Sequence, residues 1–290
     1  MKDYSELKFT DDFMFCKILQ SNPSLCKELT ELILSRKIGE VVNISKQLPI
    51  EITPDGKGVR FDIYFEDDKT DVYDIEMQVV SKKDLAKRAR YYQGMIDLDN
   101  LDRGFTYDKL PNSTIIFICL DDIFGKDLVR YTYRNTCLEV EGLFLDDGSE
   151  KVFLCAGSAN GRVSQELKMF CNYLCGKAYV NNNLISRIES EIDSAIVHQK
   201  WRAEYMTLRE HYAEKFSEGL EAGRAEGFEV GKAEGLEAGR AEGEEHVNNM
   251  YRWLLDNGRN IEMNAAILDA NLRKNLLAEF DNACSVSDKA

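Results

Sequence analysis

Two alternating segments on either side of a polar turn constrain the fold more than any other feature of the sequence. The first is VRFDIYFE at 59–66 and the second is DVYDIEMQVV at 71–80. In both, apolar and polar side chains alternate with a period of two, which is typical of β-strands because successive side chains point to opposite faces. The turn sequence Asp67-Asp68-Lys69-Thr70 joins them. The pattern predicts a hairpin with Asp62, Glu76 and Gln78 on one face, opposite Phe61, Ile63 and Phe65.

The flanking segments predict a mixed α/β protein. Residues 8–38 have helical spacing interrupted at Pro23, and 84–101 predict a helix whose apolar stripe includes Leu85, Ala89, Tyr92 and Ile96. Further strands are expected at 113–120, 137–145 and 151–155, with the last two pairing across the Asp147-Gly148 turn. From about residue 164 the pattern is helical. The predicted fold class is therefore α/β, an α+β mixed sheet with a helical C-terminal extension.

A glycine-rich repeat divides the C-terminal part of the chain. We predict a domain at 1–180, a helical connector at 181–217, the repeat at 218–245 and a small helical segment at 246–290. In the repeat, EGLEAGRA and its variants place glycine at every fourth residue. On a helix this spacing forms a slowly rotating stripe that lets another backbone approach closely, which favours a homo-oligomer. The alternative is a flexible, solvated linker. We expect 246–290 to be a small bundle or dimerisation element rather than a helix-turn-helix, since it has no basic face.

Charge and cysteine content limit the possible partners. The net charge of −14 argues against a nucleic-acid partner, although the local distribution of charge matters more than the total. No apolar run is long enough for a membrane span and no signal peptide is evident, so a cytoplasmic location without a membrane partner is expected. The eight cysteines contain no C-x-x-C pair, which favours free thiols over a structural zinc site.

The polar hairpin face contains a possible metal site. Asp62, Glu76 and the backbone carbonyl of Met77 are oxygen ligands of the kind that Mg²⁺ takes. A bound Mg²⁺ lowers the pKa of water and stabilises charge on a phosphate, as phosphodiester hydrolysis requires. By spacing alone, a solvated sheet face is at least as probable.

A family resemblance changes that balance. The segment YDIEMQ, followed by KRARYYQGMIDLDNLDRGFTYDKLPNSTIIFICLDDIF, resembles the PD-(D/E)xK nuclease family transposases, also called recombination-promoting nucleases. The similarity extends upstream through FTDDFMFCKIL and VRFDIYFED. It implies a restriction-endonuclease-like core. The motif's Asp corresponds to Asp62, its Asp/Glu to Glu76, and its Lys position to Gln78.

Gln78 departs from the parent motif. A neutral amide can orient water but cannot supply the positive charge of lysine, so the metal or a nearby cation must do so. Arg88, which matches an arginine of the family's R-x-x-Y-Y segment, is the predicted catalytic cation. The stretch KKDLAKRAR at 82–90 has five basic residues against one acidic. We therefore expect Lys82, Lys83, Lys87, Arg88 and Tyr91 to contact DNA, with Tyr92 in the core. For the three lysines, a solvated helix face is the equal alternative.

Two functions follow from these residues. The first is a DNA endonuclease dependent on Mg²⁺, with Mn²⁺ as a substitute, associated by resemblance with recombination or mobile elements. In it, Asp62, Glu76, Gln78 and Arg88 are catalytic, and Asp62, Glu76 and Met77 bind the metal. The second is a catalytically weak or inactive nuclease fold that acts as an oligomeric DNA-binding or regulatory module. The glutamine at position 78 and the acidic charge favour the second.

Overall fold

The computed structural model describes residues 2–46, 49–50, 58–80, 84–180 and 182–287. The chain forms two compact units, Met1–Arg209 and Glu210–Ala290. The mixed sheet and the helical C-terminal region agree with the predicted fold class. The domain bounds drawn from composition stay predictions.

A six-stranded mixed sheet forms the centre of the first unit, in the order β1-β4-β5-β6-β8-β7. Its elements are α1 (Asp12–Ser21), α2 (Pro23–Leu34), β1 (Val41–Lys46), β2 (Pro49–Ile50), β3 (Val59–Arg60), β4 (Ile63–Asp67), β5 (Val72–Gln78), α3 (Leu85–Asp99), β6 (Ser113–Cys119), β7 (Arg130–Tyr133), β8 (Ser149–Cys155), α4 (Gln165–Leu174) and α5 (Asn183–Val197). Short 3-10 helices lie at Tyr4–Glu6 and Tyr107–Lys109, and β2 pairs with β3.

The predicted hairpin is present as β4 and β5. They pair antiparallel from Ile63 opposite Ile75 to Glu66 opposite Val72, and the polar turn lies between them. On its other side β5 pairs in parallel with β6, which in turn pairs in parallel with β8. Every residue of β6 is buried, as its near-continuous apolar run STIIFIC predicts for a central parallel strand.

Helices cover both faces of the sheet, and each face has its own core. One core packs sheet residues such as Ile63, Phe65 and Ile75 with residues of α1, α2, α4 and α5. The other packs Tyr64 and Phe117 with residues of α3. The polar face of the hairpin is therefore buried under α3. Phe61 belongs to the α3 side as well, contrary to its predicted place beside Ile63 and Phe65, because residues 61–62 lie between strands and break the alternation.

The strand expected at 137–145 is not formed. The edge position beside β8 is taken by β7, with Tyr131 opposite Phe153 and Tyr133 opposite Lys151. Residues 137–145 instead form an irregular loop in which Leu138 is 93% exposed. Gly142 adopts a φ of 79° that interrupts extended backbone. The predicted pairing of 151–155 with this segment is thus also wrong.

The remaining elements are α6 (Gln199–Asp256), α7 (Asn260–Leu268) and α8 (Ala270–Ser287). The glycine repeat lies within α6, where residues 210–246 are all exposed. Gly258, with a φ of 71°, follows the end of α6. A small core of Met250, Leu254, Ala266 and Leu276 holds the second unit together. Among the described residues, no helix combines the length and hydropathy needed to cross a membrane.

Asp67 ties the hairpin turn to the chain that precedes β1. Its buried carboxylate accepts hydrogen bonds from the backbone N–H groups of Gly39 at 2.8 Å, Lys69 at 3.0 Å and Asp71 at 3.0 Å. The Tyr73 hydroxyl donates to it at 3.4 Å. Removing the carboxylate leaves two buried donors, the Gly39 N–H and the Tyr73 hydroxyl, and two part-buried N–H groups without this acceptor.

We therefore predict that Asp67→Ala lowers the free energy of unfolding by about 3 kcal/mol, the range expected when buried donors are left unpaired. Urea denaturation measures the change. The neighbouring Asp68→Ala is the control, because the Asp68 side chain accepts one N–H, from Glu40 at 2.9 Å, in an exposed setting. Equal losses in both variants would contradict this role for Asp67.

Candidate metal centre

The end of β5 brings Asp62 and Glu76 together. Pairing of β4 with β5 begins at Ile63 and Ile75, so Asp62 lies beside the part of β5 that continues beyond β4. The Asp62 N–H donates to Glu76 Oε1 at 3.0 Å, and the Met77 N–H donates to Asp62 Oδ2 at 3.2 Å. Each acidic residue therefore holds the other's strand in place, and their carboxylates face the same space.

The backbone carbonyl of Met77 faces the same space. In an extended strand the N–H and C=O of one residue point to the same edge, and the Met77 N–H points to Asp62. Because β4 has diverged at this level, the carbonyl edge of Met77 is not used for pairing with β4. The three predicted metal ligands are thus brought together.

Arg88 reaches into this centre from α3. Its Nη2 donates to Glu76 Oε2, its Nη1 to Gln78 Oε1 at 2.9 Å, and its Nε to the Tyr92 hydroxyl at 2.8 Å. The guanidinium carbon lies 4.9 Å from the centre of the Tyr92 ring and 5.4 Å from that of Phe117. These contacts fix the charge of Arg88 beside the acidic residues.

Gln78 uses both ends of its amide. The oxygen accepts from Arg88, and the nitrogen donates to the carbonyl of Val80. The residue as a whole is only 8% exposed. It is therefore arranged to orient Arg88, whereas the sequence alone predicted that it orients water.

Two acidic residues at the centre were not singled out from sequence. Asp74, two residues before Glu76 on the same face of β5, is fully buried, and neither of its carboxylate oxygens accepts a hydrogen bond within the described residues. Asp12 begins α1, and a carboxylate oxygen of Asp12, the Cys16 thiol and a carboxylate oxygen of Asp62 lie within 4.8 Å of one another. Alternation could have identified Asp74, but no local signal connects Asp12 with Asp62.

Burial and mutual repulsion disfavour the charged forms of these carboxyls. Burial, followed by the charges of Glu76 and Asp12, raises the pKa of Asp62 to about 8. Burial raises the pKa of Glu76 to about 6, and the charge of Arg88 opposes the shift. Burial, then Glu76 and Asp62, raises the pKa of Asp74 well above its usual range. Three buried acids share one arginine, so the centre has room for a further positive charge.

The donor set fits a divalent cation that prefers oxygen. Asp12, Asp62 and Glu76 offer carboxylates and Met77 a carbonyl, which suits Mg²⁺ or Mn²⁺. Cys16 is a poorer donor for such ions, and its thiol lies 3.6 Å from the backbone oxygen of Asp62 and 3.7 Å from Asp12 Oδ1. The residues present therefore fit the ion that the sequence predicts.

The predicted DNA contacts are distributed unevenly. Lys82 and Lys83 lie outside the described residues. Lys87 is exposed on α3, and Tyr91 is 44% exposed on the same helix. Arg88, by contrast, points inward to Glu76 and Gln78. Tyr92 is buried, as its place in the apolar stripe predicts.

Comparison with known families gives a match in the N-terminal half of the chain. Residues 10–144 match the family model described as PD-(D/E)XK nuclease family transposase. The matched segment includes Asp12, the whole of the β4–β5 hairpin and α3. Neither the curated proteins nor the solved structures contain a significant match to the chain.

The raised pKa of Asp62 predicts how the stability of the metal-free protein depends on pH. An unfolded Asp ionises near pH 4, while folded Asp62 keeps its proton up to about pH 8, so its contribution to stability falls as the pH rises across this window. The slope is at most about 1.4 kcal/mol per pH unit. Asp62→Asn should remove the part of this slope that Asp62 contributes. The variant should therefore be more stable than the wild type near pH 8.

Thermal unfolding in EDTA between pH 4 and pH 9 measures the difference. Asp99→Asn, which alters an exposed acid at the end of α3, serves as the control and should keep the wild-type slope. If Asp62→Asn keeps the wild-type slope too, the Asp62 carboxyl does not stay protonated in the folded protein across this pH range.

Proposed function

We propose that this chain is a metal-dependent DNA endonuclease acting in recombination or on mobile elements, because residues 10–144 match the family model of PD-(D/E)XK nuclease family transposases. One observation carries the proposal. Asp62 and Glu76 are held against each other at the end of β5, where the edge of Met77 is free of β4.

In this proposal Asp62, Glu76 and the Met77 carbonyl hold Mg²⁺, with Mn²⁺ as a substitute, and Asp12 completes the protein ligands. Such an ion, when bound, lowers the pKa of a water molecule and offsets charge on the scissile phosphate. The chain itself positions the ligands through the two hydrogen bonds between Asp62 and the end of β5. The donor chemistry and the excess of buried acid over buried base support this assignment.

Gln78 and Arg88 together take the part of the missing lysine. Gln78 cannot carry charge, but it accepts from Arg88 and directs the guanidinium toward Glu76. A guanidinium held by packing and hydrogen bonds loses little entropy when it meets a phosphate. Arg88 therefore supplies the positive charge that stabilises the anionic transition state, and Gln78 is the residue that positions it.

The exposed side of α3 and the segment before it form the proposed DNA-contacting surface. Lys87 and Tyr91 lie on α3, and Lys82 and Lys83 precede it in sequence. Contacts from such residues to the phosphate backbone are independent of sequence. We place the protein in the cytoplasm, where its free cysteines stay reduced.

A second function is favoured by the arrangement around Gln78. Arg88 donates to Glu76 and Gln78, so the protein itself supplies a cation to the acidic centre. A nuclease fold stabilised in this way can bind DNA without cleaving it. The alternative function is thus an oligomeric DNA-binding or regulatory module.

A plasmid assay tests the nuclease. We expect supercoiled DNA to be nicked in Mg²⁺ or Mn²⁺ and to stay intact in EDTA. Asp62→Asn and Glu76→Gln should each reduce the rate by at least about a hundredfold, since loss of even outer residues of metal sites costs 10- to 100-fold. Glu66→Gln, on the neighbouring strand β4, is the matched control. Nicking that persists in both site variants refutes the site, and a wild-type protein that binds DNA without nicking it favours the second function.

Substitutions of Arg88 and of its neighbour Lys87 should affect different steps, cleavage and DNA binding respectively. Arg88→Met removes charge at the reacting phosphate, and we expect a decrease of about 100- to 1000-fold in kcat. Lys87→Met removes a phosphate contact, so DNA binding should weaken and its dependence on log salt concentration should fall by about one. Single-turnover cleavage and fluorescence anisotropy measure the two effects. Arg162→Met, which removes an exposed arginine elsewhere, controls for loss of charge alone.

We also propose that α6 forms a homo-oligomer with α6 of a second copy. Seven glycines at four-residue spacing lie in this helix, and apart from the helix's own neighbouring backbone a Cβ on any of them would meet no atom within 4 Å. Each interior glycine costs about 1 kcal/mol of helix stability relative to alanine, and the exposed helix offers no packing to offset it. Leu220, Phe228 and Leu236 recur every eight residues and are 45%, 69% and 78% exposed. A second helix would cover these side chains and use the close approach that glycine permits.

Changing the glycine stripe should therefore separate helix formation from association. The triple change Gly227→Ala, Gly231→Ala and Gly235→Ala raises intrinsic helix stability but blocks close approach, so we expect a shift toward monomer in sedimentation equilibrium with undiminished helical circular dichroism. A triple alanine variant at Arg224, Lys232 and Arg240 is the control. A monomeric wild-type protein, or a glycine variant that associates as the wild type does, would refute the contact.

A further inference from the structure

A second cavity lies on the α3 side of the sheet, apart from the acidic residues. It has a volume of about 670 Å³, within the range of pockets that bind small organic groups. Its walls come from one side of α3, including Arg90 and Gln93, and from β8 and its neighbours. Neither Asp62, Glu76 nor Arg88 lines it. We refer to this cavity as the α3–β8 pocket.

Three aromatic rings form the apolar part of the α3–β8 pocket. Phe153, on β8, is buried, and its ring centre lies 5.1 Å from that of Phe124 and 5.8 Å from that of Tyr133. Both neighbours stand nearly perpendicular to it, at 86° and 84°. Tyr133 is 42% exposed, so part of this aromatic surface is available to a flat partner.

Two polar groups with unused hydrogen-bonding capacity lie beside the rings. Gln93 Nε2 donates to Asp97 Oδ1 at 2.9 Å and to Ser113 Oγ at 2.6 Å, which fixes the orientation of the amide. Gln93 Oε1 is left buried without a donor in the part of the chain described. The Lys151 ammonium makes no hydrogen bond or ion pair with a described residue; burial lowers its pKa, and the charges of Asp147 and Asp97 oppose the shift. The pocket thus offers one fixed acceptor and one cationic donor.

One stacked pair of rings and a guanidinium contact connect the α3–β8 pocket with the candidate metal centre. Phe153 stacks on Phe117 at 5.5 Å with an interplanar angle of 10°. Phe117 lies 5.4 Å from the guanidinium carbon of Arg88. Arg88 and Arg90 lie two residues apart on α3, so their side chains point to opposite sides of the helix. A nucleic-acid strand with a phosphate at Arg88 would reach the pocket by crossing the exposed face of α3, where Lys87 and Tyr91 lie.

We propose that the α3–β8 pocket receives one unstacked nucleobase of the DNA strand held at the metal centre. The base stacks on the aromatic rings, its amino or ring N–H donates to Gln93 Oε1, and Lys151 donates to a carbonyl oxygen or ring nitrogen. Bases offer both kinds of group at their edges, and aromatic stacking accepts any base. The inference rests on the proposed function, since it takes DNA as the ligand.

The test uses the full chain in EDTA with a single-stranded oligonucleotide that contains 5-iodouracil. After irradiation, we expect cross-links at Phe124 or Tyr133, located by mass spectrometry of peptides. Tyr133→Ala should lower the affinity for the oligonucleotide about tenfold, measured by fluorescence anisotropy, because base stacking contributes on this scale. Lys151→Met should also weaken binding. Tyr212→Ala is the matched control, since Tyr212 is likewise 42% exposed and lies on α6.

Each outcome bears on one proposal separately. Cross-links outside the pocket, or equal affinity of Tyr133→Ala and Tyr212→Ala, overturn the inference, even if the protein nicks plasmid DNA. Cross-links in the pocket by a protein that nicks no plasmid support the inference while the nuclease proposal fails. Thymidine monophosphate is the competitor that distinguishes the source of the base. If it displaces the oligonucleotide at equal concentration, the pocket serves free nucleotides and the proposal is wrong.

Discussion

The buried contact between Arg88 and Glu76 joins α3 to the sheet and sets the character of the whole acidic centre. Without it, Glu76 would share a buried space with Asp62 and Asp74 and no opposite charge. Breaking one partner of a buried ion pair is costly because the other charge remains in a poorly solvated place. The Tyr92 hydroxyl accepts from the same guanidinium, so the core of α3 and the centre share one set of contacts.

The proposed metal and Arg88 would stabilise overlapping sets of carboxylates. Burial raises the pKa of Asp62 and Glu76, which are proposed ligands, and also that of Asp74, which is not. The net charge of −14 gives little information about DNA binding at this scale, because the relevant charges are local. The acidic centre lies beside the basic first half of α3, which contains Lys87, Arg88 and Arg90.

The elements that the sequence predicted well are those with local patterns. The β4–β5 hairpin, its polar turn, α3 and β6 all follow from periodicity. The segment at 137–145 also alternates, yet β7 takes the edge beside β8 and leaves Leu138 exposed. A period of two shows that a segment suits a strand, but which segment pairs at the free edge depends on tertiary packing.

The sequence by itself determined that Asp62, Glu76 and Gln78 lie on or beside one hairpin, because alternation and a turn are properties of neighbouring residues. Only the tertiary structure decided what surrounds them. Helix α3 buries the polar face of the hairpin, which alternation alone would leave exposed. Arg88 donates to the amide oxygen of Gln78, and Asp12, 50 residues before Asp62 in the chain, lies beside it. Such contacts between distant segments arise from packing on both faces of the sheet, and no local pattern records them.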